Sequence, residues 1–326
     1  MGRGYVETFI VEMFIAGLAS YLLTLWIKGY FKRSGLVGMD VHKENQPKLP
    51  TSGGIPVFLG FYFAASAYIF LRTYLFGTYE GLLEVIASIL AIALVTFIGF
   101  LDDLNLADGK RVGLKQWQKP LMTLPAVLPL VVLKLGTPTI VLPFVGAINL
   151  GYIYPLVLVP LAFMGASNMV NLLGGLNGLE SGMGIVYLTS IGIYTYFFSS
   201  IAAKIIAFAA LGSVAGFFLL NKFPAKILPG DSLTYFLGAT LATIAIVGNV
   251  EKAILIMSIP FFIELILKLR GKLREPTVGR LVNGKLQRRG GIYSLPHFFM
   301  NGKFTEKEVA GAVWIITAVF AVLAWL

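Results

Sequence analysis

Long apolar segments dominate the chain, and each is close to the length that a helix needs to cross a lipid bilayer. Such a helix requires roughly 20 predominantly apolar residues. The 326 residues contain about ten of these segments. The chain is 57% hydrophobic and only 13% charged, with a mean hydropathy of +0.82. We therefore predict an all-α polytopic membrane protein, with residues 1–326 in a single transmembrane domain.

The predicted spans are spread along the whole sequence, and the connections between them alternate between the two sides of the membrane. The first span follows a tail with Arg3 as its only cation and ends in Lys28, Lys32 and Arg33, which is the wrong charge order for a cleaved signal peptide. The spans are Val6–Ile27, Gly53–Leu75, Gly81–Leu101, Trp117–Leu133, Tyr152–Val170, Leu179–Phe198, Ile201–Leu220, Leu233–Val247, Ala253–Leu267 and Val309–Leu326.

The distribution of positive charge orients these spans. The chain has 26 Lys and Arg against 16 Asp and Glu, a formal net charge of +10. Of the 26 cations, 21 lie in the segments 28–52, 102–119, 222–226 and 268–308. Because short loops rich in Lys and Arg lie on the cytoplasmic side, we place these segments in the cytoplasm and both termini outside. The charge is then explained without nucleic-acid binding.

Two connections carry signals for β-hairpins, and one residue type is missing altogether. Residues 136–151 combine β-branched residues with turn formers, which predicts a small external hairpin. Asn283 and Gly284, flanked by apolar residues, predict a cytoplasmic hairpin, so the loop 268–308 should be partly structured. The chain contains no cysteine, which excludes disulfides, thiolate metal sites and a cysteine nucleophile.

Several polar residues lie at the cytoplasmic ends of the predicted spans, although membrane insertion does not require them. Asp102 and Asp103 end the third span, where the helix dipole disfavours anions. They are either a solvated helix end or a functional pair. A functional pair needs a nearby cation, which could be a divalent metal ion or the loop with Lys110, Arg111 and Lys115.

An Asn- and Gly-rich stretch follows the fifth span. Asn168 and Asn171 are three residues apart and share one helical face. Glycines can simply let helices approach closely. The alternative is a pocket walled by backbone amides and Asn side chains, which suits a flat polar ligand such as a nucleobase. Its loop residues would be Gly174, Gly175, Asn177 and Gly178.

Asp231 and the basic loops complete the candidate site. Asp231 follows Pro229 and Gly230 and is either the N-cap of the eighth span or a carboxylate at a pocket edge. Facing Asn171 and the Asp pair, such a carboxylate would suit Mg²⁺, which prefers oxygen donors. The cations of the loops either serve only membrane orientation or contact phosphate groups. The candidate phosphate contacts are Lys43, Lys48, Lys119 and the turn 52–54.

These motifs, in this order, resemble a known family. The stretches KENQPKLPTSGGIPVF, FIGFLDDLN, NMVNLLGGLNGLESG and FPAKILPGDS are similar to those of the polyprenyl-phosphate N-acetylhexosamine-1-phosphate transferases. The Asn-rich motif resembles the branch of archaeal and eukaryotic UDP-N-acetylglucosamine–dolichyl-phosphate N-acetylglucosamine-1-phosphate transferases. The resemblance covers almost the whole chain.

The resemblance implies a magnesium-dependent enzyme of the cell membrane with a cytoplasmic active site. Such an enzyme transfers N-acetylhexosamine 1-phosphate from a UDP-sugar to a polyprenyl or dolichyl phosphate and releases UMP. The branch resemblance favours GlcNAc as the sugar. The reaction would be the first membrane step in assembling a glycan such as an N-glycan. Mn²⁺ is the alternative metal. The bilayer is a partner, a homodimer is consistent with the resemblance, and nucleic acid is not expected.

The resemblance also assigns roles to residues that match the motifs. Asp102 and Asp103 match the acidic pair that acts on the lipid phosphate. Asn171 and Asp231 match the metal ligands, and Lys119 matches the lysine that holds the acceptor phosphate. The remaining substrate-binding residues are Gly175 and Asn177 for uridine, with Asn168 and Gly174 beside them, and Arg280 and His297 for the sugar and diphosphate. The family's third polar residue after the acidic pair has only an offset counterpart in Asn105.

Other functions remain as alternatives at this stage. A bacterial-type transferase of phospho-N-acetylmuramoyl-pentapeptide would use the same motifs. A ten-span transporter would carry ionisable groups and broken helices near the middle of the bilayer, whereas here the polar clusters lie at one surface. An inactive scaffold of the same fold would not need Asp102, Asp103, Asn171 and Asp231.

Overall fold

The computed structural model describes residues 3–104, 114, 117–142 and 146–326. In this part of the chain, helices dominate and three two-stranded antiparallel sheets lie between them. The helices are α1 (Arg3–Arg33), α2 (Gly54–Phe76), α3 (Leu82–Leu104), α4 (Gln118–Thr123), α5 (Leu128–Val132), α6 (Val159–Leu172), α7 (Leu179–Phe198), α8 (Ile201–Asn221), α9 (Gly230–Gly248), α10 (Glu251–Met257), α11 (Ile259–Arg270) and α12 (Glu306–Leu323).

Six helical segments are long and apolar enough to cross a membrane. They are Thr8–Arg33, Gly54–Phe76, Leu82–Leu104, Tyr154–Leu172, Ile201–Asn221 and Gly230–Gly248. The prediction of a helical, multi-pass membrane protein is confirmed, and six of the ten predicted spans meet this criterion. Of the others, α7 and α12 are continuous helices, but α12 begins with the charged residues Glu306, Lys307 and Glu308.

Two predicted spans are not continuous helices. Residues 117–133 form α4, a 3₁₀ turn at Pro125–Val127, and α5. Residues 253–267 divide at Ser258 into α10 and α11, with Pro260 in the first turn of α11. A proline has no backbone N–H and clashes with the preceding turn, so it interrupts a helix even where hydropathy is continuous.

Helix α9 lies at the centre of the bundle. Every residue from Ser232 to Gly248 is buried, and the helix packs against α3 and α6 as well as α2 and α8. A helix buried all round has no lipid-facing side, so its sequence is apolar or small throughout. Since α3 and α6 end where α9 begins, their last turns lie beside its first turn.

Helices α1 and α8 pack through small residues. A Cβ atom added at Gly212 or Gly216 would overlap the backbone carbonyls of Met13 or Gly17. Lipid tails are as apolar as the side chains, so the hydrophobic effect does not drive helices together within a membrane. Close approach of the two backbones instead supplies the van der Waals contact that holds the helices together.

The hairpins lie in the connections. The hairpin predicted at Asn283 and Gly284 is confirmed, since β5 (Arg280–Val282) pairs with β6 (Lys285–Gln287) through these two residues, both at positive φ. The hairpin predicted within 136–151 is also present, with β3 (Thr139–Leu142) paired to β4 (Gly146–Asn149). A third, β1 (Val37–Met39) with β2 (Lys48–Pro50), was not predicted: its strands are three residues long, like β5 and β6, but no Asn-Gly turn joins them.

Candidate functional site

The polar residues singled out from the sequence meet at one end of the bundle. Asp102 and Asp103 are in the last turn of α3, Asn168 and Asn171 are near the end of α6, and Asp231 is in the first turn of α9. Lys119 reaches them from α4. The packing of α3 and α6 against α9 therefore turns three separate sequence motifs into one cluster.

Asp103 joins α3 to α9. Its carboxylate accepts hydrogen bonds from the backbone N–H groups of Asp231 (2.7 Å) and Ser232 (3.2 Å), and the residue is only 2% exposed. It caps the positive end of the α9 dipole, which offsets its position at the negative end of α3. Gly230 has φ +69° and leaves no room for a Cβ beside this carboxylate, so the turn requires glycine.

Asp231 is not the N-cap of its own helix, so that alternative was wrong. The capping carboxylate comes from Asp103, and the side chain of Asp231 points to Lys119 instead. The Lys119 Nζ lies 2.7 Å from Asp231 Oδ2 and 2.5 Å from Asp102 Oδ2. The backbone N–H of Leu114 donates to the other oxygen of Asp102 at 2.7 Å.

Lys119 supplies a cation to Asp102, the first residue of the acidic pair, whereas Asp103 is held by backbone N–H groups. The lysine side chain is 14% exposed and bridges two carboxylates from different helices. The other cations considered, Lys110, Arg111 and Lys115, lie outside the described residues, as does Asn105.

The two asparagines of α6 face α9, as their spacing predicted. The Asn171 Nδ2 donates to Asp231 Oδ2 (3.0 Å), and the Thr234 hydroxyl donates to Asn171 Oδ1 (3.1 Å). One turn away, the Tyr235 hydroxyl donates to Asn168 Oδ1 (3.2 Å), and Asn168 Nδ2 donates to the Met164 carbonyl (2.8 Å). Sequence reasoning missed Thr234 and Tyr235, although both are one turn from Asp231.

The carboxylate oxygens around Lys119 are of the kind that a hard divalent cation prefers, and the lysine ammonium between Asp102 and Asp231 shows that the cluster accommodates positive charge. The Asn171 amide turns its Nδ2 toward Asp231 and its Oδ1 toward Thr234, so it would have to rotate to offer its oxygen to a metal ion. In the described residues, no group of three or more His, Asp or Glu side chains is arranged to hold a metal ion. The Asn171 amide would therefore have to take part.

The glycine loop after α6 is fixed at two points. The backbone N–H of Gly175 donates to Glu180 Oε1 at 2.8 Å, and Gly175 has φ +112°. Asn177 donates from its backbone N–H (2.8 Å) and from Nδ2 (3.0 Å) to Glu306 Oε1. Its Oδ1 accepts from the Ala225 N–H at 2.6 Å. The polar groups of Asn177 thus face protein, whereas a uridine contact was predicted.

Glu180 and Glu306 are site residues that the sequence reasoning did not name. Both are buried, and a Cβ at Gly174 would clash with the Glu180 carboxylate. A carboxylate beside a Gly-rich motif is a usable signal for Glu180. No local pattern identifies Glu306, which lies 129 residues beyond its partner Asn177.

The four remaining predicted contacts have partners other than the Lys119 cluster or are exposed. Lys43 pairs with Glu306 (2.6 Å), while Lys48 on β2 and Arg280 on β5 are exposed. His297 is buried within 268–308: its Nδ1 accepts from the Tyr293 N–H (3.3 Å), and its Nε2 lies 3.1 Å from the Thr277 carbonyl. Burial lowers the pKa of His297, and the nearby Lys268 adds to this.

The predicted phosphate turn at 52–54 is also occupied by protein contacts. The N–H of Gly53 donates to the Leu228 carbonyl (3.2 Å), and the N–H of Gly54 is shared between the Pro229 carbonyl and Ser232 Oγ. These amides hold the connection between α1 and α2 against the start of α9. They are not free to bind phosphate in this arrangement.

Fold and site together define a multi-pass membrane protein with an acidic, lysine-bridged centre at one end of its helices. More narrowly, the chain belongs to glycosyl transferase family 4, whose model matches residues 85–249. This range includes Asp102, Asp103, Asn171 and Asp231.

Individual relatives agree with the motif resemblance. A protein of Saccharolobus solfataricus, provisionally named UDP-N-acetylglucosamine–dolichyl-phosphate N-acetylglucosaminephosphotransferase, is 34% identical over 97% of this chain and 95% of its own length. The enzyme of that name from Dictyostelium discoideum is 28% identical over 76% of this chain and 68% of its own. A phospho-N-acetylmuramoyl-pentapeptide-transferase from Streptococcus thermophilus is 32% identical over 77% and 76%.

Proposed function

We propose that the chain transfers N-acetylglucosamine 1-phosphate from UDP-GlcNAc to a polyprenyl or dolichyl phosphate and releases UMP. This would be the first membrane step in assembling a glycan such as an N-glycan. The observation that carries the proposal is the Asp102–Lys119–Asp231 bridge beside Asn171, at one membrane boundary of a chain whose relatives bear these enzyme names. A transporter would instead place its ionisable groups near mid-membrane.

The same proposal includes a topology of ten crossings with the site in the cytoplasm. The four crossings beyond the six long apolar helices would be α7, α12 and the interrupted pairs α4–α5 and α10–α11. The cation-rich segments all contribute to the end of the bundle that holds the site, which supports a cytoplasmic orientation.

The charge pattern suits an attack of one phosphate on another. The second pKa of a phosphate monoester is about 6, so the lipid phosphate is largely a dianion at neutral pH and needs little help from a base. Its repulsion from the diphosphate of the donor is the larger obstacle. We propose that Lys119 holds the lipid phosphate and that Asp102 orients the lysine, since the two are 2.5 Å apart.

We propose Mg²⁺, with Mn²⁺ as the alternative, held by Asp231 and Asn171. When bound, it would neutralise the diphosphate and stabilise the leaving UMP. Both oxygens of Asp103 accept backbone N–H groups, which is unfavourable for a covalent aspartyl-phosphate. We therefore favour a single displacement. An oxygen of the lipid phosphate forms a bond to the sugar-linked phosphorus, the bond from that phosphorus to the bridging oxygen of the diphosphate breaks, and UMP leaves.

The test is transfer of radiolabel by the purified protein in detergent, with polyprenyl phosphate and Mg²⁺. Label from UDP-GlcNAc should enter the lipid phase with release of UMP, and Asp231→Asn and Lys119→Met should abolish transfer. Glu308→Gln, an exposed position, should leave it unchanged. Transfer only from UDP-MurNAc-pentapeptide would favour the bacterial-type alternative, and no transfer from UDP-GlcNAc, UDP-GalNAc or UDP-MurNAc-pentapeptide would refute the proposal.

A further inference from the structure

Glu306, the first residue of α12, is a buried carboxylate with several donors around it. The residue is 2% exposed. Its Oε1 accepts both hydrogen bonds from Asn177, and its Oε2 accepts from Lys43 Nζ at 2.6 Å. The His42 Nδ1 lies 3.5 Å from Oε1. A buried charge is costly unless it is paired, so these donors offset the cost of burying the Glu306 carboxylate.

The beginning of α12 does not explain this carboxylate. Thr305 and Glu308 already form a complete capping box, in which Glu308 Oε2 accepts from the Thr305 N–H (2.7 Å) and Thr305 Oγ1 accepts from the Glu308 N–H (3.4 Å). Glu306 is thus free of any capping role. Its hydrogen bonds all go to other segments.

The Glu306 cluster, defined as His42, Lys43, Asn177 and Glu306, joins four cytoplasmic connections. His42 and Lys43 belong to the segment between α1 and α2, and Asn177 belongs to the glycine loop. The His42 Nε2 accepts from the Gly279 N–H (3.1 Å), directly before β5, and Asn177 Oδ1 holds the Ala225 N–H before α9. Each of these connections is therefore in contact with the Glu306 cluster.

Lys43 is enclosed in the cluster. Besides Glu306, its Nζ lies 3.7 Å from Asp40 Oδ2 and 3.9 Å from the centroid of the Phe223 ring, and its side chain is 23% exposed. A phosphate approaching this ammonium would meet two carboxylates that repel it. The surroundings therefore suit an internal ion pair better than a phosphate site.

We propose that Glu306 is a positioning residue for the nucleoside part of the donor, acting through Asn177 and Lys43. The inference rests on the proposed function, because it assumes that the glycine loop binds the UDP-sugar. Glu180 fixes that loop at Gly175 and Glu306 fixes it at Asn177. Holding a glycine-rich loop before the ligand arrives removes ordering cost from binding.

Glu306→Gln provides the main test. Glutamine keeps the size and one acceptor oxygen, but its NH₂ group cannot accept from Lys43. We expect KM for UDP-GlcNAc to rise about tenfold, with kcat and KM for polyprenyl phosphate within about twofold of wild type. Glu308→Gln, on the same helix but exposed, is the matched control and should change neither constant.

The Lys43→Gln variant tests whether Lys43 acts through its ion pair with Glu306 or binds a phosphate of the donor. If Lys43 acts through Glu306, the double variant with Glu306→Gln should be about as impaired as the worse single variant. Inhibition by uridine and by UMP should weaken by similar factors in each variant. A loss confined to UMP in Lys43→Gln would overturn the proposal, and Lys43→Gln carries the test if Glu306→Gln does not fold.

The outcomes distinguish this inference from the proposed function. The inference alone would be overturned if wild type transfers from UDP-GlcNAc and the folded Glu306→Gln variant has the same KM for UDP-GlcNAc as wild type. A wild-type protein that transfers nothing would overturn the proposed function. Thermal stabilisation of wild type and Glu306→Gln by UMP would then still measure nucleotide binding directly, and equal stabilisation of both would count against Glu306.

Discussion

At the scale of single residues, neighbours in sequence have different surroundings. Asp102 and Asp103 are adjacent, yet one pairs with a lysine and the other accepts backbone N–H groups of α9. The helix turns by about 100° per residue, so consecutive side chains reach different partners. The sequence predicted both as candidates but could not distinguish them, because the distinguishing partners, Lys119 and the start of α9, come from elsewhere in the chain.

This difference predicts separable effects. Asp103→Asn should lower the free energy of unfolding by about 1–2 kcal/mol, because its NH₂ group would face the N–H of Asp231 and leave part of the α9 cap unpaired. Asp102→Asn should lower transfer activity with a smaller loss of stability. Unfolding in detergent followed by tryptophan fluorescence, with transfer measured in parallel, checks both. Equal stability of the two variants would contradict the capping role.

At the scale of elements, helix positions followed from hydropathy while helix continuity did not. The boundaries of α7 match the predicted Leu179–Phe198, whereas residues 117–133 and 253–267 are each interrupted near a proline. Hydropathy averages over a window and does not register a missing N–H. The contacts between helices could not be predicted from the sequence either, because helix packing decides which residue lies against a small residue such as Gly212.

The α1–α8 contact gives a prediction at this scale. Gly212→Ala should destabilise the protein by about 1–3 kcal/mol, the usual range for overpacking, because the new Cβ would overlap the Met13 carbonyl. Gly311→Ala in α12 is the control: its Cβ meets nothing within 4 Å, so the substitution should be neutral or slightly stabilising. Melting temperatures in one detergent compare them. Equal shifts for both would argue against close α1–α8 packing.

At the scale of the whole molecule, the proposed orientation can be measured because the chain contains no cysteine. Single cysteines at exposed positions then report sidedness. Gly290→Cys, in 268–308, should react with a membrane-impermeant maleimide only after cells are permeabilised. Ala147→Cys, in the β3–β4 hairpin, should react in intact cells. The reverse pattern would invert the topology and place the site outside.

The sequence by itself determined that this is a helical membrane protein, where most helices lie and which motifs form the candidate site. These properties are local: hydropathy, spacing along a helix and the Asn-Gly turn are carried by neighbouring residues. The tertiary structure decided the partners. Lys119 joins Asp102 to Asp231, Asp103 rather than Asp231 caps α9, and Glu306 holds the glycine loop across 129 residues. Such pairings depend on which helices pack together, and no single segment encodes that.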